Sequence, residues 1–125
     1  MPIIYKYEID SRIVYAKASE LVTTKDLLNY VTSIIEYNFI EVVDFQFVKN
    51  LEVSYSDLTP FPSIGEKYMK KGCKAVLIYA PTDLSYGTFR MLQTVVASKH
   101  EVAEDLFVVV RSKDILDNKL KELLA

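Results

Sequence analysis

The sequence is poor in the residues that most recognisable catalytic motifs require. It has three glycines in 125 residues, too few for a phosphate-binding P-loop or for the GxGxxG turn of dinucleotide-binding proteins. Its single cysteine excludes an internal disulfide, and its single histidine leaves little for a metal site or a Ser-His-Asp triad. We therefore expect no cofactor and no bound metal, and we expect that the protein is not an enzyme.

A surplus of basic residues is also missing. Fifteen Lys and Arg stand against seventeen Asp and Glu, a net charge of −2, whereas proteins that bind nucleic acid carry basic residues in excess to neutralise phosphates. No apolar run approaches the roughly 18–20 residues that cross a bilayer, and the first residues lack the basic and apolar regions of a secretory signal. We expect no nucleic-acid partner, no membrane insertion and a cytoplasmic location, which suits the lone Cys73.

The sequence does contain an orderly succession of strand and helix patterns. Residues 3–9 and 12–18 alternate in character across a short polar turn, which predicts an antiparallel hairpin. Thr23 is a predicted helix N-cap, and the apolar positions after it predict a helix that ends near Asn38. Residues 41–47 alternate again and predict the third strand.

The second half of the chain continues this succession. A polar and irregular stretch at 50–57 precedes a predicted helix over 59–72, with proline near its start and glycine at its end. Residues 74–80 and 106–110 are apolar on both sides, as central strands of a parallel sheet are. A helix over 86–100 separates them, and a fourth helix follows the last strand.

This order predicts an α/β fold in one domain that comprises residues 1–125. Strand–helix–strand connections of this length imply a mainly parallel sheet, while the short first turn makes the first strand antiparallel. We expect a five-stranded mixed sheet, with the first strand antiparallel and the rest parallel, and four helices. If the strands follow sequence order, the crossover helices share one face of the sheet.

The first three strands have one mixed face, which combines charged residues with exposed apolar ones. Such a face fits a sheet that is covered there on one side only. It suits a partner subunit or a shallow ligand surface, and it leads us to expect a homodimer. The residues of this mixed face are Ile4, Lys6, Glu8, Ile13, Tyr15, Lys17, Asp44 and Gln46.

Three stretches resemble a known family: VVDFQFVKNLEVSYSDL, KAVLIYAPTDLSYGTFRMLQ and DLFVVVRSKDILDNKL. They resemble the small bacterial SpoIIAA-like proteins, which share the STAS fold of anti-sigma-factor antagonists, and residues 80–91 are the most specific piece. The resemblance implies a β-α superhelix with an N-terminal antiparallel strand. It implies little about activity, because a fold does not determine a function.

The phosphorylation site of the family has no residue-for-residue match in this sequence. Anti-sigma-factor antagonists carry a phosphorylatable serine in an Asp-Ser-Ser/Thr-Gly turn, whereas residues 51–57 of this chain read LEVSYSD and contain no glycine. Ser54 and Ser56 are the possible phosphorylation sites that remain. The alternative interpretation is that both are ordinary loop serines.

Asp44 and Arg90 are candidate ligand contacts because their charges stand in unusual places. Asp44 interrupts an apolar strand, where an unpaired carboxylate is costly; it is either an acid at the lip of a pocket or a structural partner of Lys17 or Arg90. Arg90 is predicted in the first turn of its helix, where the helix dipole disfavours a cation. It therefore pairs with Asp83 or Asp44, or it binds an anion.

Segment 81–90 leaves a central strand at its carboxyl end, where ligands of open parallel sheets gather. Asp83, Ser85 and Tyr86 lie near the start of the predicted helix, whose free N–H groups could bind an anion. Capping of the helix by Ser85 is the alternative. With Asp44 and the arginine discussed above, these three residues make up the predicted ligand site.

The sequence predicts a binding protein rather than a catalyst. No nucleophile–base pair or metal cluster stands out, so the leading interpretation is a non-catalytic STAS-like binding or regulatory module. It would act through a protein partner or through small-ligand contacts. The alternative is a carrier of an apolar or anionic small molecule, and an enzyme of unknown reaction comes last.

Overall fold

The computed structural model describes residues 2–37, 39–98 and 106–125. The strands are β1 (Ile3–Glu8), β2 (Ile13–Ala18), β3 (Leu21–Thr23), β4 (Ile40–Asp44), β5 (Asn50–Glu52), β6 (Ala75–Tyr79) and β7 (Phe107–Val110). The helices are α1 (Thr24–Ile34), α2 (Phe61–Lys70), α3 (Asp83–Ser98) and α4 (Lys113–Leu124), with a 3₁₀ turn at Tyr55–Leu58. None of the described helices has the length and apolar character needed to cross a membrane.

Five strands form the main sheet, in the order β1-β2-β4-β6-β7. β1 runs antiparallel to β2, and every other neighbouring pair is parallel. Arg12 closes the hairpin with a φ of 60°, and its backbone N–H donates to the Glu8 carbonyl over 2.8 Å. The expected five-stranded mixed sheet with four helices is confirmed.

A second sheet joins two segments that the sequence pattern did not mark as strands. β3 pairs in parallel with β5. The backbone N–H groups of Lys49 and Asn50 both donate to the Glu20 carbonyl, over 2.8 and 2.9 Å, which leads the chain into this pairing. The prediction of an irregular stretch over 50–57 is therefore wrong for its first three residues, because their strand conformation comes from pairing with a distant segment.

The helices lie on both faces of the main sheet. α1, α2 and α3 connect successive strands and pack on one face, where Phe61 and Phe89 are buried. α4 follows β7 and packs on the opposite face through Leu116 and Leu120. Ile13, which we expected to be exposed on the mixed face, is 1% exposed, since it belongs to the apolar core on the α4 side.

The third predicted strand is shorter than its alternation indicates. β4 ends at Asp44, and Phe45 leaves it while its backbone N–H still donates to the Tyr79 carbonyl over 2.9 Å. Phe45 is buried and stacks on Phe89, with ring centroids 4.2 Å apart, whereas Phe47 is half exposed. The strand prediction is thus wrong for its last three residues, because the chain turns after Asp44.

The first two helices, α1 and α2, have ends that differ from the predicted ones. α2 begins at Phe61, after the 3₁₀ turn, and Gly72 ends it in the left-handed conformation with a φ of 86°, as its position predicts. α1 ends at Ile34. Asn38 and His100, near which two helices were predicted to end, lie outside the described residues.

Candidate ligand-binding groove

The two faces of the main sheet are covered to different extents. Three helices cover one face, whereas α4 alone lies on the other and packs against β6 and β7. The face of β1, β2 and β4 beside α4 stays open. A groove of about 500 Å³ lies there, a volume within the range of small-molecule sites in proteins.

Strand pairing assembles the floor of this groove. Residues at paired positions on neighbouring strands point to the same face of a sheet, so the registers form rows across it. Both rows described here line the groove. The first row runs across β1, β2, β4 and β6 as Ile4, Lys17, Asp44 and Tyr79, and the second runs across β1, β2 and β4 as Lys6, Tyr15 and Val42.

α4 forms the wall of the groove. Its lining residues Lys113, Leu116, Asp117 and Leu120 recur at helical spacing and therefore share one side of the helix. Leu116 is buried against the sheet, whereas Lys113 and Asp117 are exposed. The wall is apolar at its base and charged at its rim.

Three lysines line the groove, namely Lys6, Lys17 and Lys113. Within the described part of the chain, none of them forms an ion pair. The Lys17 ammonium lies 5.3 Å from the centre of the Phe47 ring, and that of Lys113 lies 5.8 Å from the centre of the Tyr79 ring. Aromatic faces attract a cation without neutralising its charge, so the groove retains positive charge that a ligand can meet.

Asp44 and Tyr15 supply further polar groups to the floor. The Asp44 carboxylate accepts hydrogen bonds from the backbone N–H and the side-chain amide of Gln46, over 2.8 and 2.6 Å. In the described chain it pairs with neither Lys17 nor Arg90, the two structural partners that the sequence offered. Burial, and then the charge of Glu8, raise the pKa of the Tyr15 hydroxyl above its ordinary value. This hydroxyl is a hydrogen-bond donor that a ligand in the groove can reach.

Segment 81–90 lies elsewhere, and Ser85 does not cap its helix. α3 begins at Asp83, three residues earlier than predicted, because Thr82 provides the cap: the N–H of Ser85 donates to the Thr82 Oγ1 over 3.1 Å. The buried Ser85 hydroxyl lies 2.7 Å from the same oxygen and donates to the Thr82 carbonyl over 3.2 Å. The prediction of a Ser85 cap is wrong, and this hydroxyl is engaged inside the protein.

Arg111, which the sequence analysis missed, joins Asp83 to Tyr86. It donates to the Asp83 Oδ1 over 2.7 Å and to the Pro81 carbonyl over 3.0 Å. Its guanidinium also lies 5.1 Å from the centre of the Tyr86 ring. The sequence held one signal for this contact: Arg111 comes directly after an apolar strand, and Asp83 comes shortly after another. The carboxyl ends of parallel strands meet at one edge of the sheet, so residues that follow two such strands lie close together.

Arg90 lies beyond the first turn of α3, since the helix starts at Asp83. The prediction that places it in the first turn is wrong, and the helix dipole gives it no need of an anionic partner. The exposed Arg90 donates to the side chain of Gln93. Of the five predicted ligand contacts, Asp44 alone is among the described residues that line the groove. The structure therefore does not bring the five together in one site.

Ser54 and Ser56 are exposed at the 3₁₀ turn, with their hydroxyl oxygens 3.1 Å apart. The Asp57 carboxylate beside them accepts from the backbone N–H of Ser54 over 3.3 Å and from the Thr24 hydroxyl over 3.1 Å. Hydrogen bonds from Ser54, and then from Thr24, lower the pKa of Asp57. Phosphorylation of either serine stays a prediction, and neither serine lines the groove.

Glu41 is a buried acid that the sequence pattern marked only as the start of a strand. It is 2% exposed, and the Tyr30 hydroxyl donates to its Oε2 over 2.7 Å. Burial, and then the charge of Glu41, raise the pKa of Tyr30 well above its ordinary value. The same two causes raise the pKa of the Cys73 thiol to about 12. Glu41, Tyr30 and Cys73 are buried on the three-helix face, away from the groove beside α4.

A second groove, of about 380 Å³, lies between α1 and α2. Its floor is apolar and its rim is basic, and one rim lysine, Lys71, pairs with Glu36 over 3.2 Å. We give priority to the groove beside α4 because it is larger and contains Asp44. The residues of the second groove are Val31, Thr32, Ile35, Glu36, Ile64, Lys67, Lys70 and Lys71.

Comparison with known proteins identifies no relative. No family model, no curated protein and no solved structure matches this chain. Among the described residues, no group of three or more His, Cys, Asp or Glu side chains is placed to hold a metal ion. The resemblance to the SpoIIAA-like family stays a prediction, and the functional argument rests on the geometry of the groove.

Proposed function

We propose that the protein is a non-catalytic binding module and that the groove beside α4 is its ligand site. The observation that carries the proposal is that α4 covers only part of one sheet face. The uncovered part forms a concave groove with a volume of about 500 Å³. Val42, Leu116 and Leu120 give this surface its apolar part, and the lysines and Tyr15 give it polar groups. Small-molecule sites in proteins combine these same two elements.

The concave shape favours the carrier alternative over a protein partner at this position. A stable protein interface occupies about 800 Å² on each partner, whereas this groove has α4 as its wall and residues of β1, β2, β4 and β6 as its floor. A small molecule that carries both apolar and polar groups fits this shape. We therefore interpret the module as a small-ligand carrier or sensor.

The polar side chains among the predicted ligand contacts support a binding role over an enzymatic one. Asp44 accepts two hydrogen bonds from Gln46, Asp83 pairs with Arg111, and the Ser85 hydroxyl is bonded to Thr82. Each of these contacts stabilises the local turn or helix start. General acid–base or nucleophilic catalysis needs such groups within reach of each other and of a substrate.

Membership of the bacterial SpoIIAA-like family, with its STAS fold, is part of the proposal. The element order supports it, because an α-helix lies between each successive pair of the main-sheet strands β2, β4, β6 and β7, another follows β7, and β1 is antiparallel. A cytoplasmic location is proposed from the lone, buried Cys73. Homodimerisation stays a prediction from the sequence, because Ile13 is buried and Ile4 and Tyr15 line the groove. Sedimentation that shows only the 14.3 kDa species would contradict it.

Amide chemical shifts of the ¹⁵N-labelled protein, titrated with neutral, cationic and anionic fragments, test the ligand site. We expect the fragments that bind to shift amides of the groove floor and of α4. Ile4→Trp is the blocking variant, since Ile4 is 62% exposed at the groove and a larger side chain there leaves the core unchanged. Ile9→Trp, at a residue that is 76% exposed and outside the groove, is the matched control.

The proposal predicts that Ile4→Trp weakens fragment binding and that Ile9→Trp does not. Fragments that bind both variants as well as the wild type would contradict it. So would shifts confined to residues 82–90, which would move the site to the start of α3.

A further inference from the structure

The groove holds an excess of positive charge in a protein that is negative overall. Lys6, Lys17 and Lys113 line it against Asp44 and Asp117, whereas the net charge of the chain is −2. In the part of the chain that the structure describes, these lysines form no ion pairs. Among the described residues, therefore, no ion pair neutralises this excess.

Two of the lysines lie at one end of the groove. Lys17 is opposite Asp44 in the sheet register, and Asp44 is opposite Tyr79, over whose ring Lys113 lies. This end is the carboxyl edge of the parallel strands, and α4 starts there. Within this row, Lys17 thus lies on one side of Asp44, and Tyr79 with Lys113 over its ring lies on the other.

The groove becomes more apolar along α4. Leu120 follows Lys113 by seven positions, a distance of about 10 Å along a helix. α4 runs back toward the start of β6, where the Lys74 ammonium donates to the Leu123 carbonyl over 2.7 Å. Leu116, Leu120 and Val42 therefore continue the groove away from its charged end, and Lys6 lies on the outer strand.

We propose, on the basis of the function proposed above, that the ligand is an amphipathic anion with one negative head group on an apolar body. The head, a carboxylate or a group of similar charge, lies between Lys17 and Lys113. The body lies along Leu116 and Leu120 over Val42. A single negative charge matches the groove, because three lysines and two aspartates leave its lining with one net positive charge.

Three probes with the same ten-carbon tail test the head group: decanoate, decanol and decyltrimethylammonium. The two ionic probes are used below their micelle concentrations and decanol below its solubility. Their dissociation constants are measured from the amide shifts of the groove residues. We expect decanoate to bind about tenfold more tightly than decanol, since two ammonium groups meet its carboxylate. Decyltrimethylammonium is expected to bind more weakly still.

The double variant Lys17→Gln/Lys113→Gln isolates the role of the two lysines. We expect it to weaken decanoate binding about tenfold while decanol binding stays the same. Lys25→Gln/Lys49→Gln is the matched control, because it removes two exposed lysines that line neither groove. It is expected to change neither affinity.

The remaining outcomes separate this inference from the proposed function. Equal binding of all three probes in the groove, insensitive to both double variants, would overturn the anionic ligand and leave the ligand groove in place. Failure of every probe to shift groove amides would overturn both. Binding to anionic phospholipid vesicles without binding to free decanoate would assign the groove to a membrane surface and also overturn the inference.

Discussion

The three-helix face and the α4 face are built on the same strands, but one is a closed core and the other contains a groove. Two neighbouring residues of β4 show the difference. Val43 is buried with Phe45 and Phe89 beneath the crossover helices, whereas Val42 lies in the groove floor beside α4. Both residues are valines, so at this position the number of helices on each face, and not the residue type, decides which face can hold a ligand.

Truncation of a core aromatic on the three-helix face gives the largest expected effect on stability. Phe89→Ala is expected to cost about 3–5 kcal/mol, because Phe89 is buried and stacks on Phe45. Ile4→Ala on the open face is expected to stay within about 0.5 kcal/mol. Urea unfolding of both variants measures the contrast. Equal losses would break the distinction between the two faces.

The buried Glu41 makes the three-helix face sensitive to loss of a single hydroxyl. Tyr30→Phe removes a hydrogen bond of 2.7 Å to that carboxylate, at an expected cost of about 1–3 kcal/mol. Tyr55→Phe is the matched control, since Tyr55 is exposed on the 3₁₀ turn. If both variants lose the same free energy of unfolding, the hydrogen bond from Tyr30 to Glu41 does not contribute to stability.

Alkaline pH is expected to weaken the three-helix face through Cys73. Folding raises the thiol pKa from 9.0 to about 12, so the unfolded chain loses this proton first as pH rises. The contribution to stability is complete below pH 9.0 and is lost between there and about pH 12. We expect a loss of about 1 kcal/mol by about pH 10, measured by urea unfolding. An equally steep loss in Cys73→Ala would contradict this cause.

The arginines near the start of α3 are expected to have the smallest effects. Arg111→Ala removes an exposed ion pair with Asp83 and should cost less than about 1 kcal/mol. Arg90→Ala, which removes a contact with Gln93, should stay within about 0.5 kcal/mol. Thermal unfolding of the two variants compares them. A larger loss in Arg90→Ala would restore the interpretation of that residue as part of a buried ion pair.

The main sheet could be predicted because its strands carry their own signal. The first hairpin alternates, and residues 74–80 and 106–110 are apolar on both sides, so local pattern and final position agree. β3 and β5 carry no such signal. Each has three residues and becomes a strand through the other, across a long stretch of sequence. Pairings of this kind depend on tertiary structure.

The groove could be predicted in part. Its floor was visible as a mixed face that includes Ile4, Lys17 and Asp44, because strand alternation places these residues together. Its wall was not, since the amphipathic pattern of α4 is equally compatible with either face of the sheet. The roles of Glu41 and Arg111 were missed for a related reason: their partners lie on other elements.

A native mass spectrum of the protein purified from its own host tests the central claim most directly, namely that the groove beside α4 holds a ligand. The wild type and Ile9→Trp are predicted to retain a small molecule, seen as added mass above 14.3 kDa, and Ile4→Trp is predicted to lose it. Equal retention of that molecule by all three proteins, or a wild type with no added mass, would contradict the claim.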